Sequence, residues 1–193
     1  MKIQVILGST RQKRFSEQPG NWIVKKLQEK GIDAELLDLR DYPLPFFEEP
    51  ASPNSSPTPF TNPEVVKWTQ KVAEGDGYIF ITPEYNHGYS AVLKNALDYV
   101  YKEWNHKPAA FISYGGPAGG TRAVQQLKEV LLELQMHPMR NNVHMPLYWS
   151  HLNDQGQYDF SLIEKSGDGL VEQLVFWAEK LKPIREELTT PSK

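Results

Sequence analysis

The sequence predicts an α/β protein with a three-layer, doubly wound sheet of five parallel strands in the order 2-1-3-4-5. Two observations carry this prediction. Short apolar runs alternate with amphipathic helical patterns, and five such runs fit within 193 residues. Strands that alternate with helices form a parallel sheet covered on both faces. At this length we expect a single domain over residues 1–193.

The five predicted strands are short segments with a high share of apolar residues. Residues 2–7 (KIQVIL) form the first strand, and residues 33–39 (DAELLDL) form the second. Residues 77–82 (GYIFIT) and 108–114 (PAAFISY) contain the β-branched and aromatic side chains that favour strands. Residues 139–145 (MRNNVHM) are expected to complete the sheet.

Five helices are predicted from apolar residues that recur with helical spacing. The helices are expected over residues 16–30, 63–75, 90–104, 121–137 and about 161–182. Gly31 and Pro183 follow the first and the last of these segments, where glycine and proline typically end a helix.

One segment, residues 42–63 (YPLPFFEEPASPNSSPTPFTNP), interrupts the alternation of strands and helices. It contains seven prolines and little periodicity. Because proline neither donates a backbone hydrogen bond nor fits a helix interior, we expect an extended insert between the second strand and the next helix. The insert is too short to be a domain, and its apolar LPFF sequence is expected to dock on a neighbouring surface.

Composition excludes several classes of function. The chain has no cysteine, which rules out disulfides, thiol nucleophiles and cysteine zinc sites. The five histidines form no metal-binding spacing such as H-E-x-x-H, and a net charge of -3 does not indicate nucleic-acid binding. The N-terminal run IQVIL is too short for a signal peptide, and no stretch is long enough to span a membrane. We therefore expect a cytoplasmic protein without metal.

Three unusual loops follow the first, third and fourth predicted strands. Their sequences are GSTRQKRFS (8–16), PEYNHGYS (83–90) and GGPAGGT (115–121). In an open α/β sheet, ligands bind beyond the carboxyl ends of the strands, at the point where the strand order reverses. The predicted order brings these three loops together at that point.

The first loop combines hydroxyl groups with positive charge. Ser9 and Ser16 offer hydroxyls, Arg11 and Arg14 offer guanidinium groups, and the following helix directs free N–H groups toward the loop. The loop lacks G-x-G-x-x-G and G-K-[ST], which disfavours a dinucleotide or P-loop site. A terminal monophosphate fits better, although a solvated basic turn that caps a helix would have the same composition.

The second loop offers an acceptor, a flat ring and an amide in Glu84, Tyr85 and Asn86. This mixture suits the rim of a planar heterocycle, and Gly88 is expected to allow a sharp turn. A packing role for Tyr85 remains the alternative. His87 has no Ser, Asp or Cys partner in the adjoining motif, and G-x-S-x-G is absent from the chain, so hydrolase chemistry is disfavoured.

The third loop contains four glycines in six residues, 115–120. Glycines let the backbone approach a ligand closely, and their N–H groups can donate to ring heteroatoms or to developing negative charge. A flexible turn without function is the alternative.

With these motifs in hand, the sequence resembles the NADPH-dependent FMN reductases, a family of flavodoxin-like proteins that includes quinone reductases and azoreductases. The resemblance covers roughly residues 2–145 and rests on GSTRQKR, TPEYNHGYSAVLKNALDY and SYGGPAGG. It implies bound FMN as the cofactor. It places the FMN phosphate against Ser9, Arg11, Arg14, Phe15 and Ser16. It places the isoalloxazine and ribityl chain against Pro83, Glu84, Tyr85 and Asn86. It places the ring against Ser113, Gly115, Gly116, Gly119 and Gly120.

The resemblance also implies an activity. NADPH or NADH would pass hydride to the flavin, and an acceptor such as free flavin, a quinone or an azo compound would then take the electrons. No catalytic side chain is expected, because the flavin carries the chemistry. Family members are commonly homodimers, and some are tetramers.

A flavodoxin-type electron carrier is the main alternative function, and a flavin-binding scaffold is a weaker one. Arg11 and Arg14, together with a small net charge, argue against the strongly acidic carrier.

Overall fold

The computed structural model, which describes residues 1–55 and 60–189, contains the predicted sheet. The strands are β1 (Lys2–Leu7), β2 (Asp33–Asp38), β3 (Gly77–Pro83), β4 (Pro108–Gly115), β5 (His137–Pro138) and β6 (Val143–Pro146). The order is β2-β1-β3-β4-β5, with β6 also paired to β4, and these pairs are parallel. The predicted fold class and strand order are confirmed.

The fifth strand differs from its prediction as one continuous segment, 139–145. It consists of two short pieces, β5 beside the start of β4 and β6 beside its end. Between them the chain leaves the sheet, and the side-chain oxygen of Asn142 accepts a hydrogen bond from the Phe111 N–H at 3.0 Å. A side chain thus satisfies a β4 donor that a continuous strand would have paired through its backbone.

The helices surround the sheet as expected, with three differences at their ends. They are α1 (Glu17–Glu29), α2 (Pro63–Ala73), α3 (Ala91–Asp98), α4 (Thr121–Glu133) and α5 (Glu164–Thr189). The fourth helix ends at Glu133 and not at residue 137, which belongs to β5. Helix α3 ends at Asp98 and not near residue 104, because the following turns bury Trp104 in the core. Helix α5 continues through Pro183, which was expected to end it.

The two faces of the sheet carry separate apolar cores. The core under α2, α3 and α4 is built around Trp68, Tyr78, Phe80, Trp104 and Phe111. The core under α1 and α5 is built around Ile3, Val5, Ile79, Ala110 and Leu174. Successive strand residues point to opposite faces, so each buried strand supplies both cores. In the described ranges no helix is long and apolar enough to cross a membrane.

The LPFF part of the insert docks on α3 and the turn after it. Asn95 accepts from the Phe47 N–H at 2.9 Å and donates to the Pro45 carbonyl at 2.7 Å. The Tyr99 hydroxyl donates to the Phe46 carbonyl at 3.3 Å. The ring of Phe47 packs edge-on against Tyr99, whereas Phe46 is 79% exposed. Residues 56–59 of the insert lie outside the described residues.

Asp76 connects the end of α5 to the amino-terminal edge of the sheet. Its carboxylate accepts from the Lys2 N–H at 3.0 Å, from Lys182 at 3.1 Å and from Arg185 at 2.7 Å. Although burial alone would raise the pKa of Asp76, these donors lower it below its ordinary value of 3.8. The carboxylate therefore stabilises the folded state in its charged form.

We expect Asp76→Asn to lower the free energy of unfolding by about 1–3 kcal/mol near neutral pH, because two cations lose a carboxylate partner. A carboxyl whose pKa is lowered by folding stabilises above its unfolded pKa, and this contribution disappears as the pH falls through the folded pKa. The difference between wild type and variant should therefore shrink below about pH 4. Urea unfolding at several pH values measures it.

The exposed Asp154→Asn serves as the control, and its unfolding should follow that of the wild type. A difference for Asp76→Asn that stays constant down to about pH 2 would contradict this assignment.

Candidate functional site

The structure brings the three predicted loops together at the carboxyl edge of the sheet. The Ser9 hydroxyl of the first loop lies 2.9 Å from the Tyr85 hydroxyl of the second. The Glu84 N–H donates to the Tyr114 carbonyl of β4 at 3.1 Å. A Cβ added to Gly115 of the third loop would lie 3.4 Å from the Cβ of Glu84. The loops therefore border one common site.

Gly8 fixes the start of the first loop. Its N–H donates to the Ile81 carbonyl at 2.8 Å, and its carbonyl accepts from the Ser90 hydroxyl. A Cβ at this position would approach the Ile81 oxygen to 2.9 Å and the Leu93 side chain to 3.0 Å, so only glycine fits without displacement. The first loop consequently leaves β1 in close contact with β3 and α3.

The Arg14 guanidinium is paired with other residues of the protein, whereas it was expected to be available to the FMN phosphate. Its side chain is only 1% exposed. The guanidinium donates to both carboxylate oxygens of Asp38, to Glu17 at 3.0 Å and to the Ser9 carbonyl. These bonds occupy most of its donors. In this structure Arg14 holds the first loop against the end of β2.

Asp38 and Arg40 are site residues that sequence reasoning missed. Asp38 is the last residue of β2 and pairs with Arg14, and Arg40 donates to the Thr10 carbonyl at 3.4 Å and to the Arg11 carbonyl. Burial alone would raise the pKa of Asp38, but Arg14 lowers it below its ordinary value. The sequence signal that could have identified Asp38 is its acidic side chain at the carboxyl end of β2, the strand next to β1.

Ser16 carries a buried hydroxyl that does not cap its own helix. It occupies the N-cap position of α1, yet its side chain makes no capping hydrogen bond. The Ser16 hydroxyl interacts with the Tyr114 hydroxyl and opposes the burial that raises the pKa of that tyrosine. The amides at a helix N-terminus favour an anion. The start of α1 is therefore built to accept an external acceptor group.

Arg11 remains available to a ligand. Its side chain is exposed, and its guanidinium lies 5.7 Å from the ring centre of Tyr85. Within residues 1–55 and 60–189 it forms no ion pair, which distinguishes it from Arg14. The cation therefore stands beside the second loop.

The ring of Phe15 supports the loop from the core side. It stacks on Tyr148 with a centroid distance of 4.2 Å and packs edge-on against Tyr114 and Tyr158 at 5.2 and 5.7 Å. Tyr148 belongs to a 3₁₀ turn after β6, at Tyr148–His151. Phe15 can therefore face a ligand with its backbone, while its side chain anchors the loop in an aromatic cluster.

The second loop contains a tight two-residue turn. The Tyr85 and Gly88 backbones exchange hydrogen bonds of 2.8 and 3.0 Å. The residues with positive φ are Asn86 (50°) and His87 (70°), so the expectation that Gly88 supplies the turn is wrong. Asparagine tolerates the left-handed region better than most side chains. The turn leaves Asn86 exposed, three residues after Pro83 at the end of β3.

Glu84 is paired with the start of α4 and is not free as an acceptor. Its carboxylate accepts from Arg122 Nε at 2.6 Å and from the Arg122 backbone N–H at 3.2 Å. Burial would raise the pKa of Glu84, but Arg122 lowers it below its ordinary value. Glu84 therefore joins the second loop to the third, and its backbone is what it can present to a ligand.

The third loop depends on its last two glycines. Gly119 and Gly120 have φ values of 60° and 86°, and a Cβ on Gly120 would approach the Ser113 Cβ to 2.6 Å. The Ser113 hydroxyl is buried and lies 2.7 Å from both the Gly119 carbonyl and His144 Nδ1. Ser113 thus supports the loop from below. Gly116, by contrast, has open space around it.

The family model for NADPH-dependent FMN reductase matches residues 1–150, which include all three loops. The chain belongs to the NADPH-dependent FMN reductase family. The predicted family is therefore confirmed. Helix α5 lies beyond the matched residues.

Relatives within and around this family are named as flavin or quinone reductases. An NAD(P)H-dependent FMN reductase of Schizosaccharomyces pombe is 41% identical over 148 residues, 75% of this chain and 74% of that protein. An NADPH:quinone oxidoreductase of Arabidopsis thaliana is 39% identical over 111 residues, 55% of this chain and 53% of that protein. The flavoenzyme NAD(P)H:(acceptor) oxidoreductase FerB from Paracoccus denitrificans has a TM-score of 0.71 at 25% identity, covering 93% of this chain and 98% of that chain.

The site of this FMN reductase family member fits an FMN phosphate. The phosphate oxygens are acceptors, and the buried Ser16 hydroxyl, the start of α1 and the Arg11 guanidinium are donors. The described residues contain no cluster of His, Asp or Glu that could hold a metal ion. The arrangement suits an organic phosphate whose remainder extends toward the second and third loops.

We expect Asp38→Asn to destabilise the protein by about 1–3 kcal/mol, because the buried Arg14 guanidinium loses one of its two charged partners and keeps only Glu17. Urea unfolding in the absence of added FMN measures the effect. Asp41→Asn is the matched control, since Asp41 is an exposed aspartate three residues further along the chain. Equal unfolding midpoints for the two variants would show that the Arg14–Asp38 pair does not hold the loop.

Proposed function

We propose that the protein is an NAD(P)H-dependent oxidoreductase that uses bound FMN to pass electrons to a small-molecule acceptor such as free flavin, a quinone or an azo compound. The buried Ser16 hydroxyl, which does not cap the start of α1, is the observation that carries the cofactor assignment. Membership of the FMN reductase family and the names of the relatives support the activity. When bound, FMN supplies the hydride chemistry.

The first loop is proposed to hold the FMN phosphate in two ways. Ser16 and Arg11 donate directly, together with the amides around Phe15 at the start of α1. Arg14 acts as a positioning residue, because its guanidinium fixes the Ser9 carbonyl and thereby the path of the loop. The Ser9 hydroxyl is held beside Tyr85 at the junction with the second loop.

The second and third loops are proposed to line the ring system and the ribityl chain. Pro83, Tyr85 and Asn86 border one side, with Glu84 presenting its backbone. Gly115 and Gly116 allow close approach on the other side, and the Gly120 N–H is proposed to face negative charge on the ring, while the Gly119 N–H donates to the Gly116 carbonyl at 2.8 Å. Ser113 supports this loop from the core. No side-chain nucleophile is required.

The function is tested by the visible spectrum of the protein with FMN under anaerobic conditions, before and after NADPH or NADH. We expect a bound-flavin spectrum that bleaches with either nicotinamide. A flavin that only dithionite bleaches would overturn the reductase assignment and favour the electron carrier. Steady-state assays with quinone and azo acceptors follow a positive result.

We also propose that the chain forms one FMN-binding domain that works as a homodimer or homotetramer in the cytoplasm. The family resemblance supports oligomerisation, and exposed Trp177, Ile184 and Leu188 on α5 provide apolar surface. Reduced nicotinamides are available inside the cell, which supports the location. Light scattering coupled to gel filtration tests the assembly, and a monomeric mass at micromolar concentration would contradict it.

We expect Ser16→Ala and Arg11→Ala each to weaken FMN binding by ~10- to 150-fold, since a hydrogen bond to a charged group contributes about 1.5–3 kcal/mol. Fluorescence titration of FMN measures the dissociation constants. Ser166→Ala, an exposed serine on α5, is the control and should bind FMN like the wild type. Wild-type FMN affinity in both loop variants would contradict the placement of the phosphate at this loop.

A further inference from the structure

The Ser113 hydroxyl forms two hydrogen bonds whose directions can be assigned. It lies 2.7 Å from the Gly119 carbonyl and 2.7 Å from His144 Nδ1. A carbonyl can only accept, so the single hydroxyl proton of Ser113 goes to Gly119. The Ser113 oxygen must then accept from His144, which requires a proton on Nδ1. The chain of donors runs from His144 through Ser113 to Gly119.

The end of this chain is the most constrained part of the glycine-rich loop. Gly119 and Gly120 adopt positive φ values, and a Cβ on Gly119 would approach the Pro146 nitrogen to 2.9 Å. The loop has few side chains of its own with which to fix its peptide groups. Its geometry therefore depends on groups beneath it, and Ser113 is the side chain that bonds Gly119.

Strand β6 and the residue after it also support this loop. His144 lies opposite Ser113 in the register between β4 and β6. Beyond it, the Leu147 N–H donates to the Gly115 carbonyl at 3.0 Å and to the Gly116 carbonyl at 3.2 Å. His144 is half-buried, and burial together with nearby Lys128 lowers its pKa. The ring is thus neutral near pH 7, with its one proton on Nδ1.

We propose that His144 is a positioning residue for the flavin reaction, which acts through Ser113 to fix the Gly119 peptide of the loop. This inference rests on the proposed function, because it assigns the glycine-rich loop to the flavin ring. His144 itself contacts Ser113 and not the ring in this assignment. Replacing the His144 side chain should change the position of the loop relative to the flavin ring and leave the phosphate contacts at the start of α1 in place.

The test compares His144→Leu, Ser113→Ala and His144→Asn. The leucine variant removes the donor, the alanine variant removes the link, and an asparagine amide can place an N–H near the position of Nδ1. We expect the first two variants to slow anaerobic flavin reduction by NADPH by about 3- to 10-fold, as for the loss of one hydrogen bond. We expect them also to shift the absorption bands of bound FMN. His144→Asn should recover most of both properties.

Two further readouts separate positioning from a general structural role. FMN affinity should stay within about threefold of the wild type, since the phosphate contacts are intact. The double variant His144→Leu/Ser113→Ala should be no worse than Ser113→Ala alone, because both residues act in one chain. His137→Leu, at the other end of the same sheet edge, is the control.

Each outcome decides the inference. Wild-type bands and rates in His144→Leu, or fully additive effects in the double variant, would overturn it. If the wild type binds FMN but NADPH does not reduce it, the proposed function fails. The band shift in His144→Leu and its recovery in His144→Asn still test the positioning of the loop in that case.

Discussion

The buried guanidinium of Arg14 connects parts of the molecule that are distant in the sequence. It joins the first loop, the first turn of α1 and the end of β2 through Ser9, Glu17 and Asp38. A charge that is almost inaccessible to water needs such a complete set of partners, because an unpaired buried charge is very unfavourable. With this loop fixed, Ser16 and the start of α1 are held at the position where we propose that the phosphate binds.

Much of the fold could be predicted from the sequence, because apolar periodicity directly reflects burial in strands and helices. The remaining differences come from contacts between distant residues. Helix α5 passes through Pro183 while Asp76 holds Lys182 and Arg185 beside it. The last strand divides because Asn142 replaces a backbone partner. Propensity alone contains neither of these tertiary contacts.

The candidate site could be predicted as a set of loops, but the partners of its residues could not. Arginine and glutamate suit ligand binding and internal ion pairs equally well, and only the fold decides that Arg14 meets Asp38 and Glu84 meets Arg122. His144 carried no signal in its own segment. His144 lies opposite Ser113 because β4 and β6 pair directly in the sheet, although a helix separates them along the chain.

The glycines of the third loop differ in the sequence variation that they allow. At Gly119 and Gly120 the backbone angle and the neighbouring atoms exclude any side chain, so these positions are fixed while the fold is kept. At Gly116 nothing lies within 4 Å of an added Cβ. A lineage can therefore place a new side chain at the edge of the site here without rebuilding the loop, and this gives evolution a direct route to altered acceptor preference.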